Sequence, residues 1–187
     1  MNIILFGPPG AGKGTQSKYL VNKLNSFQIS TGDILRDEIK NNTNIGKQII
    51  NDMNEGKFVN DEIVNKLIKN LINDPQKKEK LIFDGYPRSI SQAKNLDLLL
   101  ENTNQKIDHI FFLNVNKDTI IKRIEKRKVL ENRSDDQLET ILKRYDTYME
   151  TTRPVLNFYS KNLNFHEIDG TQEIGKITNE IDTFINV

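Results

Sequence analysis

The sequence contains no cysteine among its 187 residues and only two histidines, His109 and His166. The missing thiols exclude disulfides, thiol catalysis and a cysteine-based zinc site, and two imidazoles are too few for a histidine-rich metal site. An excess of one charge is also missing. Lys+Arg and Asp+Glu number 27 and 26, so the formal net charge of +1 gives no support for a general nucleic-acid or membrane-surface interaction.

Long hydrophobic runs are absent as well. No apolar stretch approaches the ~18 residues that a membrane-spanning helix requires. The first residues, 1–7, lack the basic start and the long apolar region of a signal peptide. The length suits one domain with a substantial core. We therefore expect a cytoplasmic protein that interacts with neither membranes nor nucleic acids.

Arginine is scarce among the basic residues, since 20 of the 27 are lysine. The planar guanidinium group suits carboxylates and phosphates better than the lysine ammonium does. In a chain that uses lysine as its ordinary surface cation, each arginine invites a specific explanation. The seven arginines are Arg36, Arg88, Arg123, Arg127, Arg133, Arg144 and Arg153.

Short apolar runs alternate with amphipathic stretches, which predicts an α/β fold with a parallel sheet covered on both faces. We expect strands at 2–6, 80–84, 108–115 and 164–168, and a fifth near Phe27–Ser30. Helices are predicted at 13–25, 31–40, 45–55, 61–73, 91–100, 117–128, 135–152 and 175–185, the seventh stopped by Pro154. Residues 30–60 carry no strand pattern and read as a helical insertion.

A glycine-rich segment, Gly7–Thr15, follows the first predicted strand and begins the first helix. Its spacing fits a phosphate-binding P-loop, except that Gly14 follows Lys13 where Ser or Thr is usual. Glycines allow backbone N–H groups to converge on a phosphate, and the helix N-terminus adds a partial positive charge. A simple glycine-rich turn and a dinucleotide-binding fold are the alternatives. The dinucleotide-binding fold is argued against because its G-x-G-x-x-G pattern does not occur here.

Four motifs in order resemble those of adenylate kinases and related nucleoside monophosphate kinases. They are Gly7–Thr15, Gln28–Arg36, Asp84–Arg88, and Arg133–Asp136 followed by Arg144. The resemblance spans nearly the whole chain. It implies a P-loop NTPase fold, three-layer α/β/α with a parallel five-stranded sheet, a nucleoside-monophosphate-binding subdomain at 30–59 and a lid at 128–138.

The resemblance also implies the site residues. Catalytic roles fall on Lys13, Arg88, Arg123, Arg133 and Arg144. ATP binding falls on Gly10, Ala11, Gly12, Lys13, Gly14, Thr15, Arg127 and Gln172. AMP binding falls on Thr31, Arg36, Lys57, Phe58, Val59, Gly85, Tyr86, Pro87, Arg88, Gln92, Arg133 and Arg144. Water on Mg²⁺ is expected to be held by Asp84, Asp135 and Asp136, with no structural zinc.

Several of these residues also have ordinary structural explanations. Thr31 is expected to cap a helix as well as to bind the acceptor. Asp84 could form a turn, Arg88 an ion pair, and Gln92 a solvated helix surface. Arg123 and Arg127 could be helix-surface cations. Ser134–Gln137 reads as a capping box with Gln137 at the third helical position, a role compatible with ordering water on Mg²⁺. Arg153 matches no motif and is expected to be structural, and neither histidine is assigned a role.

The lid is expected to be short, because only five residues separate Arg127 from Arg133. The resemblance is therefore to the short-lid class, which includes cytosolic adenylate kinases and UMP/CMP kinases. The short spacing puts in doubt the water-shielding role that a large lid would have.

The implied reaction is reversible phosphoryl transfer, Mg·ATP + AMP = 2 ADP, by a monomer. UMP/CMP kinase is the nearest alternative. Thr31 and Gln92 match the adenylate kinase pattern, where the pyrimidine enzymes tend to have Ala and Asn. A P-loop switch without transfer activity is the alternative from another class. It would need no second phosphate site, so Arg36, Arg88 and Gln92 argue against it.

Overall fold

A computed structural model describes residues 1–131, 137–162 and 164–185. Across these ranges the strands are β1 Ile3–Phe6, β2 Phe27–Ser30, β3 Leu81–Asp84, β4 His109–Asn114 and β5 Phe165–Asp169. They form one sheet in the order β2-β3-β1-β4-β5, and every neighbouring pair is parallel. The predicted parallel five-stranded sheet is confirmed, including the strand near Phe27–Ser30.

The helices alternate with these strands along the chain. They are α1 Lys13–Leu24, α2 Thr31–Lys40, α3 Asn44–Asn54, α4 Asp61–Ile72, α5 Ile90–Asn102, α6 Lys117–Glu131, α7 Leu138–Thr147, α8 Arg153–Tyr159 and α9 Ile174–Ile185. A 3-10 turn at Pro75–Lys77 follows α4, and a π-helical turn at Tyr148–Thr152 joins α7 to α8. Within the described ranges, no helix has both the length and the apolar character to cross a membrane.

Successive side chains along each strand point to opposite faces of the sheet, and a hydrophobic core forms on each face. In β1, Ile4 and Phe6 face one core, which α2, α3, α4, α5 and α8 cover. Ile3 and Leu5 face the other core, which α1, α6, α7 and α9 cover. All four side chains are 0–2% exposed, as expected when successive strand residues point to opposite, buried faces. The result is the predicted three-layer α/β/α arrangement.

The stretch between β2 and α4 is helical, as predicted, and forms a tight α2–α3 hairpin. Thr43 begins α3 by accepting a hydrogen bond from the Gly46 N–H at 2.9 Å. Gly46 lies against the backbone of Glu38 in α2, so closely that a Cβ at this position would overlap it. The absence of a side chain at Gly46 therefore permits the close approach of the two helices.

The helix α2 spans the predicted residues 31–40, but its predicted cap was wrong, and so was the predicted helical position of Gln137. Ser30, not Thr31, caps α2, because Ser30 is extended at the end of β2 and accepts the Asp33 N–H at 3.3 Å. Thr31 is instead the first residue of the helix. Gln137, predicted inside a helix, is extended (φ −79°, ψ 142°) and precedes α7. Its carbonyl accepts the first helical bond, from the Ile141 N–H at 2.9 Å. The predicted Ser134 cap lies outside the described residues.

Pro154 was predicted to stop a helix but instead lies within the first turn of α8. A proline lacks the N–H that would bond to the carbonyl four residues earlier, and its ring crowds that carbonyl. The π-helical turn at Tyr148–Thr152 accommodates it, because the Arg153 N–H bonds to the Tyr148 carbonyl five residues back. The chain can therefore stay helical through the proline, which is tolerated at the start of a new helix.

Candidate active site

The glycine-rich loop lies between β1 and α1 at the carboxyl edge of the sheet, where parallel α/β folds bind ligands. Gly10 and Gly12 have φ angles of +80° and +96°, a region that favours glycine. At Gly10 a Cβ would also lie 2.8 Å from Cγ1 of Ile124 in α6. No side chain caps the N-terminus of α1. Its first N–H groups can therefore hold a phosphate.

Lys13 lies at the centre of this loop. Its Nζ donates to the Gly7 carbonyl at 2.7 Å and to the Pro8 carbonyl at 3.0 Å. The side chain is only half-buried, but its ammonium end is deep in the crevice. This burial lowers the pKa of Lys13 to about 8. The nearby Asp84 carboxylate opposes the shift, and Arg88, Arg144 and Arg127 add to it. Four predicted cations therefore lie within electrostatic reach of one another.

Asp84 ends β3 directly beside the loop. Its Oδ2 lies 3.6 Å from the position that a Cβ on Gly14 would occupy, and it accepts a hydrogen bond from Gln28 Nε2 at 3.1 Å. Mg²⁺ prefers oxygen ligands and usually takes one or two carboxylates, several waters and the substrate phosphates. A carboxylate next to a phosphate loop fits that requirement. In the described part of the chain, no group of three His, Cys, Asp or Glu residues could hold a metal without a substrate.

The Gly85 carbonyl, just after β3, fixes two of the predicted acceptor residues. It accepts from Thr31 Oγ1 at 2.8 Å and from Arg88 Nε at 2.7 Å. The Arg88 guanidinium lies 5.1 Å from the centre of the Phe58 ring, within the range of a cation–π contact. Thr152, at the end of the π-helical turn, donates to the Arg88 carbonyl at 3.0 Å. These contacts hold Arg88 in place before any substrate binds.

One crevice brings eight of the predicted residues together, between the loop, the α2–α3 hairpin and α7. The predicted residues that line it are Lys13, Arg36, Lys57, Phe58, Gly85, Pro87, Arg88 and Arg144. Near its mouth, Arg36 pairs with Asp33 at 2.6 Å and Lys57 with Glu55 at 2.7 Å. This is one continuous wall of cationic and apolar groups, with the P-loop at one end.

Other predicted acceptor residues lie behind the crevice wall. Tyr86 is fully buried, and its hydroxyl donates to Asn65 at 2.8 Å; burial raises the pKa of Tyr86 to about 12. Val59 is also buried. A solvated helix surface was the structural alternative for Gln92, but this residue is only 3% exposed. Its side-chain Oε1 accepts a hydrogen bond from the Arg88 N–H at 2.7 Å.

On the ATP side, Arg123 links two segments. Its guanidinium donates to the Ala11 carbonyl and to the Gln172 carbonyl, each at 3.3 Å. It therefore ties the loop to the segment after β5, and the helix-surface alternative for this arginine was wrong. Three predicted residues, Arg133, Asp135 and Asp136, lie outside the described residues, together with the rest of segment 132–136 of the predicted lid.

Sequence reasoning missed several residues of the crevice. Leu35 and Met53 line its apolar part, and their only sequence signal is their place in the amphipathic pattern of α2 and α3. Tyr148 and Thr152 also line it. No local sequence pattern predicts that Tyr148 and Thr152 line the crevice, because their placement depends on the π-helical turn. Gln28 stands in a recognised motif, but its contact with Asp84 depends on strand pairing.

Comparisons with known proteins agree with this geometry. A family model described as adenylate kinase matches residues 5–164. The chain is 48% identical to an adenylate kinase of Pelagibacter ubique over 213 aligned positions, which cover all of both chains. It is 42% identical to one from Mycoplasma capricolum over 195 positions, covering 90% of this chain and 91% of the relative. It is 38% identical to one from a Caulobacter species over 187 positions, covering 100% of this chain and 99% of the relative.

Proposed function

The chain belongs to the adenylate kinase family and is an ATP:AMP phosphotransferase, and we propose how its residues divide that reaction. The observation that carries the assignment of roles is the convergence of Lys13, Arg88 and Arg144 on one crevice. Two highly charged nucleotides repel each other, so a site that joins them needs cations between them. A nucleotide switch with one phosphate site would not need this second group of arginines.

The loop and Lys13 bind the phosphates of ATP in this proposal. Backbone N–H groups at the start of α1 contact the phosphates, and the Lys13 ammonium moves from the Gly7 and Pro8 carbonyls to the outer phosphate oxygens. Arg123 and Arg127 stabilise the same end, and the backbone at Gln172 contacts the donor adenine. Mg²⁺, held through Asp84, would neutralise charge on the β- and γ-phosphates.

AMP binds at the other end of the crevice. Arg36 and Arg88 contact its phosphate, and Phe58, Leu35 and Met53 pack beside the nucleoside. Arg88 also reaches the transferring group, together with Arg144, which lines the same crevice. The acceptor oxygen then attacks the γ-phosphorus in line as the bond to the ADP leaving oxygen breaks. The arginines stabilise the charge on the transferring group. Closure of the α2–α3 hairpin excludes water.

A coupled assay tests this proposal with ATP and Mg²⁺ and one acceptor at a time: AMP, UMP, CMP or GMP. We expect rapid ADP formation with AMP and much slower turnover with the others. A preference for UMP or CMP would indicate a pyrimidine kinase, and ATP binding without transfer to any acceptor would indicate a switch.

The role of Arg88 is tested by Arg88→Ala. Removing a preorganised cation from the crevice should lower kcat by about 10²–10³-fold. The matched control is Arg153→Ala, which removes an exposed arginine that does not line the crevice and should leave kcat unchanged. Near-normal turnover of a folded Arg88→Ala enzyme would contradict the proposed role.

We also propose that the enzyme works as a cytoplasmic monomer. The one-crevice arrangement supports the monomer, because the described residues of a single chain supply both phosphate-binding ends. Sedimentation at several protein concentrations would test the monomer, and a mass that rises with concentration would argue against it.

A further inference from the structure

The amide of Gln92 is held at both ends by groups of fixed hydrogen-bonding character. Its Oε1 accepts the Arg88 N–H at 2.7 Å, and its Nε2 donates to Asp61 Oδ1 at 2.6 Å. A backbone N–H can only donate, and a carboxylate can only accept. The amide therefore has one satisfactory orientation, with its oxygen toward Arg88 and its nitrogen toward Asp61. Burial makes the reversed orientation costly, because it would leave both neighbours unsatisfied.

Asp61 is itself anchored. It is the first residue of α4, and its Oδ2 accepts a hydrogen bond from Ser89 Oγ at 2.7 Å. Ser89 caps α5 and accepts the Gln92 N–H at 3.1 Å. The chain of contacts returns to Gln92, so the carboxylate cannot turn away without losing a partner. This connection joins the first turn of α4 to the first turn of α5.

The two bonds leave half of the amide's capacity unused. Among the described residues, Oε1 keeps one lone pair and Nε2 keeps one N–H. An acceptor beside a donor complements the edge of adenine, which offers an amino group beside a ring nitrogen acceptor. Hypoxanthine has a carbonyl where adenine has the amino group, so it would meet the amide oxygen with an acceptor. A reversed amide would pair with that carbonyl and with the adjacent N1–H of hypoxanthine.

We propose that Asp61 is a specificity-determining positioning residue, which selects adenine by fixing which end of the Gln92 amide is the acceptor. This inference rests on the proposed function and on the AMP-binding role that the sequence resemblance implies for Gln92, whose amide would contact the base. Asp61 touches neither substrate. It acts through Gln92, and its removal should change the choice of acceptor base and leave the handling of ATP unchanged.

Asp61→Asn tests the proposal, because an asparagine can donate or accept, which leaves only the Arg88 N–H to fix the orientation of the Gln92 amide. The measurement is kcat/KM with AMP divided by kcat/KM with IMP, at saturating Mg·ATP. Loss of a bidentate base contact should lower this ratio by about tenfold. The KM for ATP should stay within about twofold of the native value. Asp61→Ala should lower the ratio in the same direction.

The matched control is Glu62→Gln, which removes the same charge from the same first turn of α4. Glu62 is exposed, and its variant should keep the native AMP/IMP ratio. Because both rates come from one preparation, the ratio does not depend on the fraction of folded enzyme. A variant that is only partly folded therefore still gives a valid test.

The outcomes separate the two proposals. If the native enzyme does not use AMP, the proposed function fails. If the native enzyme prefers AMP over IMP and Asp61→Asn keeps the same preference, the positioning role of Asp61 is overturned and the proposed function stands. Equal loss of the ratio in Glu62→Gln would show that helix charge, not the amide contact, determines selectivity, which also overturns the role of Asp61.

Discussion

At the scale of single residues, our proposal assigns the chemistry to the scarce arginines and one lysine. Lys13 is surrounded by Arg88, Arg127 and Arg144, so its ammonium sits in a positive field as well as in a buried position. Both effects favour the neutral amine, and together they exceed the opposing effect of Asp84. The free enzyme therefore holds a cation whose charge depends on pH in a range where ordinary lysines are fully protonated.

This gives a prediction for the pH dependence of ATP use. The charged form of Lys13 is present below its pKa of about 8 and is lost as the pH rises above it. We expect kcat/KM for ATP, which reports on the free enzyme, to fall above about pH 8. Bound phosphates should raise the pKa of Lys13, so the fall in kcat should come at higher pH.

Steady-state rates measured between pH 6 and pH 10 would check the predicted fall in kcat/KM for ATP. In Lys13→Arg the guanidinium stays charged, so the fall in kcat/KM should disappear even if the maximum is lower. A native profile that stays flat to pH 10 would contradict the assignment.

At the scale of elements, the α2–α3 hairpin depends on one glycine. A side chain at Gly46 would overlap the Glu38 backbone, which cannot move without separating the helices. Leu35 of α2 and Met53 of α3 line the acceptor end of the crevice. A change in the spacing of the two helices should therefore reach the AMP site and leave the P-loop in place.

We predict that Gly46→Ala lowers the free energy of unfolding by about 1–3 kcal/mol, the usual cost of overpacking. It should also raise the KM for AMP several-fold while the KM for ATP changes little. Thermal unfolding and steady-state kinetics would measure both effects. Gly175→Ala is the control, because Gly175 also lies in a helix but a Cβ there would meet nothing within 4 Å. That variant should be neutral or slightly stabilised. An unchanged KM for AMP in Gly46→Ala would disprove the coupling.

The sequence predicted the sheet better than the helix ends. Strands such as Leu81–Asp84 are short apolar runs buried on both faces, and this pattern needs no tertiary information. The predicted cap of α2 was wrong because two adjacent hydroxyl residues could cap the helix, and the end of β2 decides between them. Pro154 was misread because a π-helical turn has no sequence signature. Lys13 and Arg88 were found through motifs, whereas Asp61 was missed because its contact with Gln92 exists only after α4 and α5 pack together.

At the scale of the whole molecule, a nearly neutral chain places three of its seven arginines, Arg36, Arg88 and Arg144, along one crevice. Away from that crevice, the two histidines meet on neighbouring strands, where His109 Nδ1 lies 3.3 Å from His166 Nε2. Burial lowers the pKa of His109, and the adjacent Asp108 partly opposes it. Burial is the main cause that lowers the pKa of His166, and the neighbouring His109 lowers it further. The folded protein therefore resists protonation of this pair.

We predict that the pair makes the protein less stable in mild acid. The unfolded chain protonates these rings near pH 6.5, whereas the folded protein does so at lower pH. Their contribution to stability is complete above pH 6.5 and is lost as the pH falls through the folded pKa values. The Tm should fall between pH 7 and pH 5, and it should fall less in the double variant His109→Gln, His166→Gln. An equal fall in both proteins would show that other groups cause the acid sensitivity.

The strand order has a consequence for synthesis on the ribosome. The first two strands along the chain, β1 and β2, do not pair with each other; β3 lies between them and pairs with both. No part of the sheet can therefore form until Leu81–Asp84 has left the exit tunnel, and the centre is not enclosed until His109–Asn114 follows. The nascent chain therefore exposes its nucleotide-binding loop before there is a sheet to support it. The loop becomes able to bind ATP only as the chain nears completion.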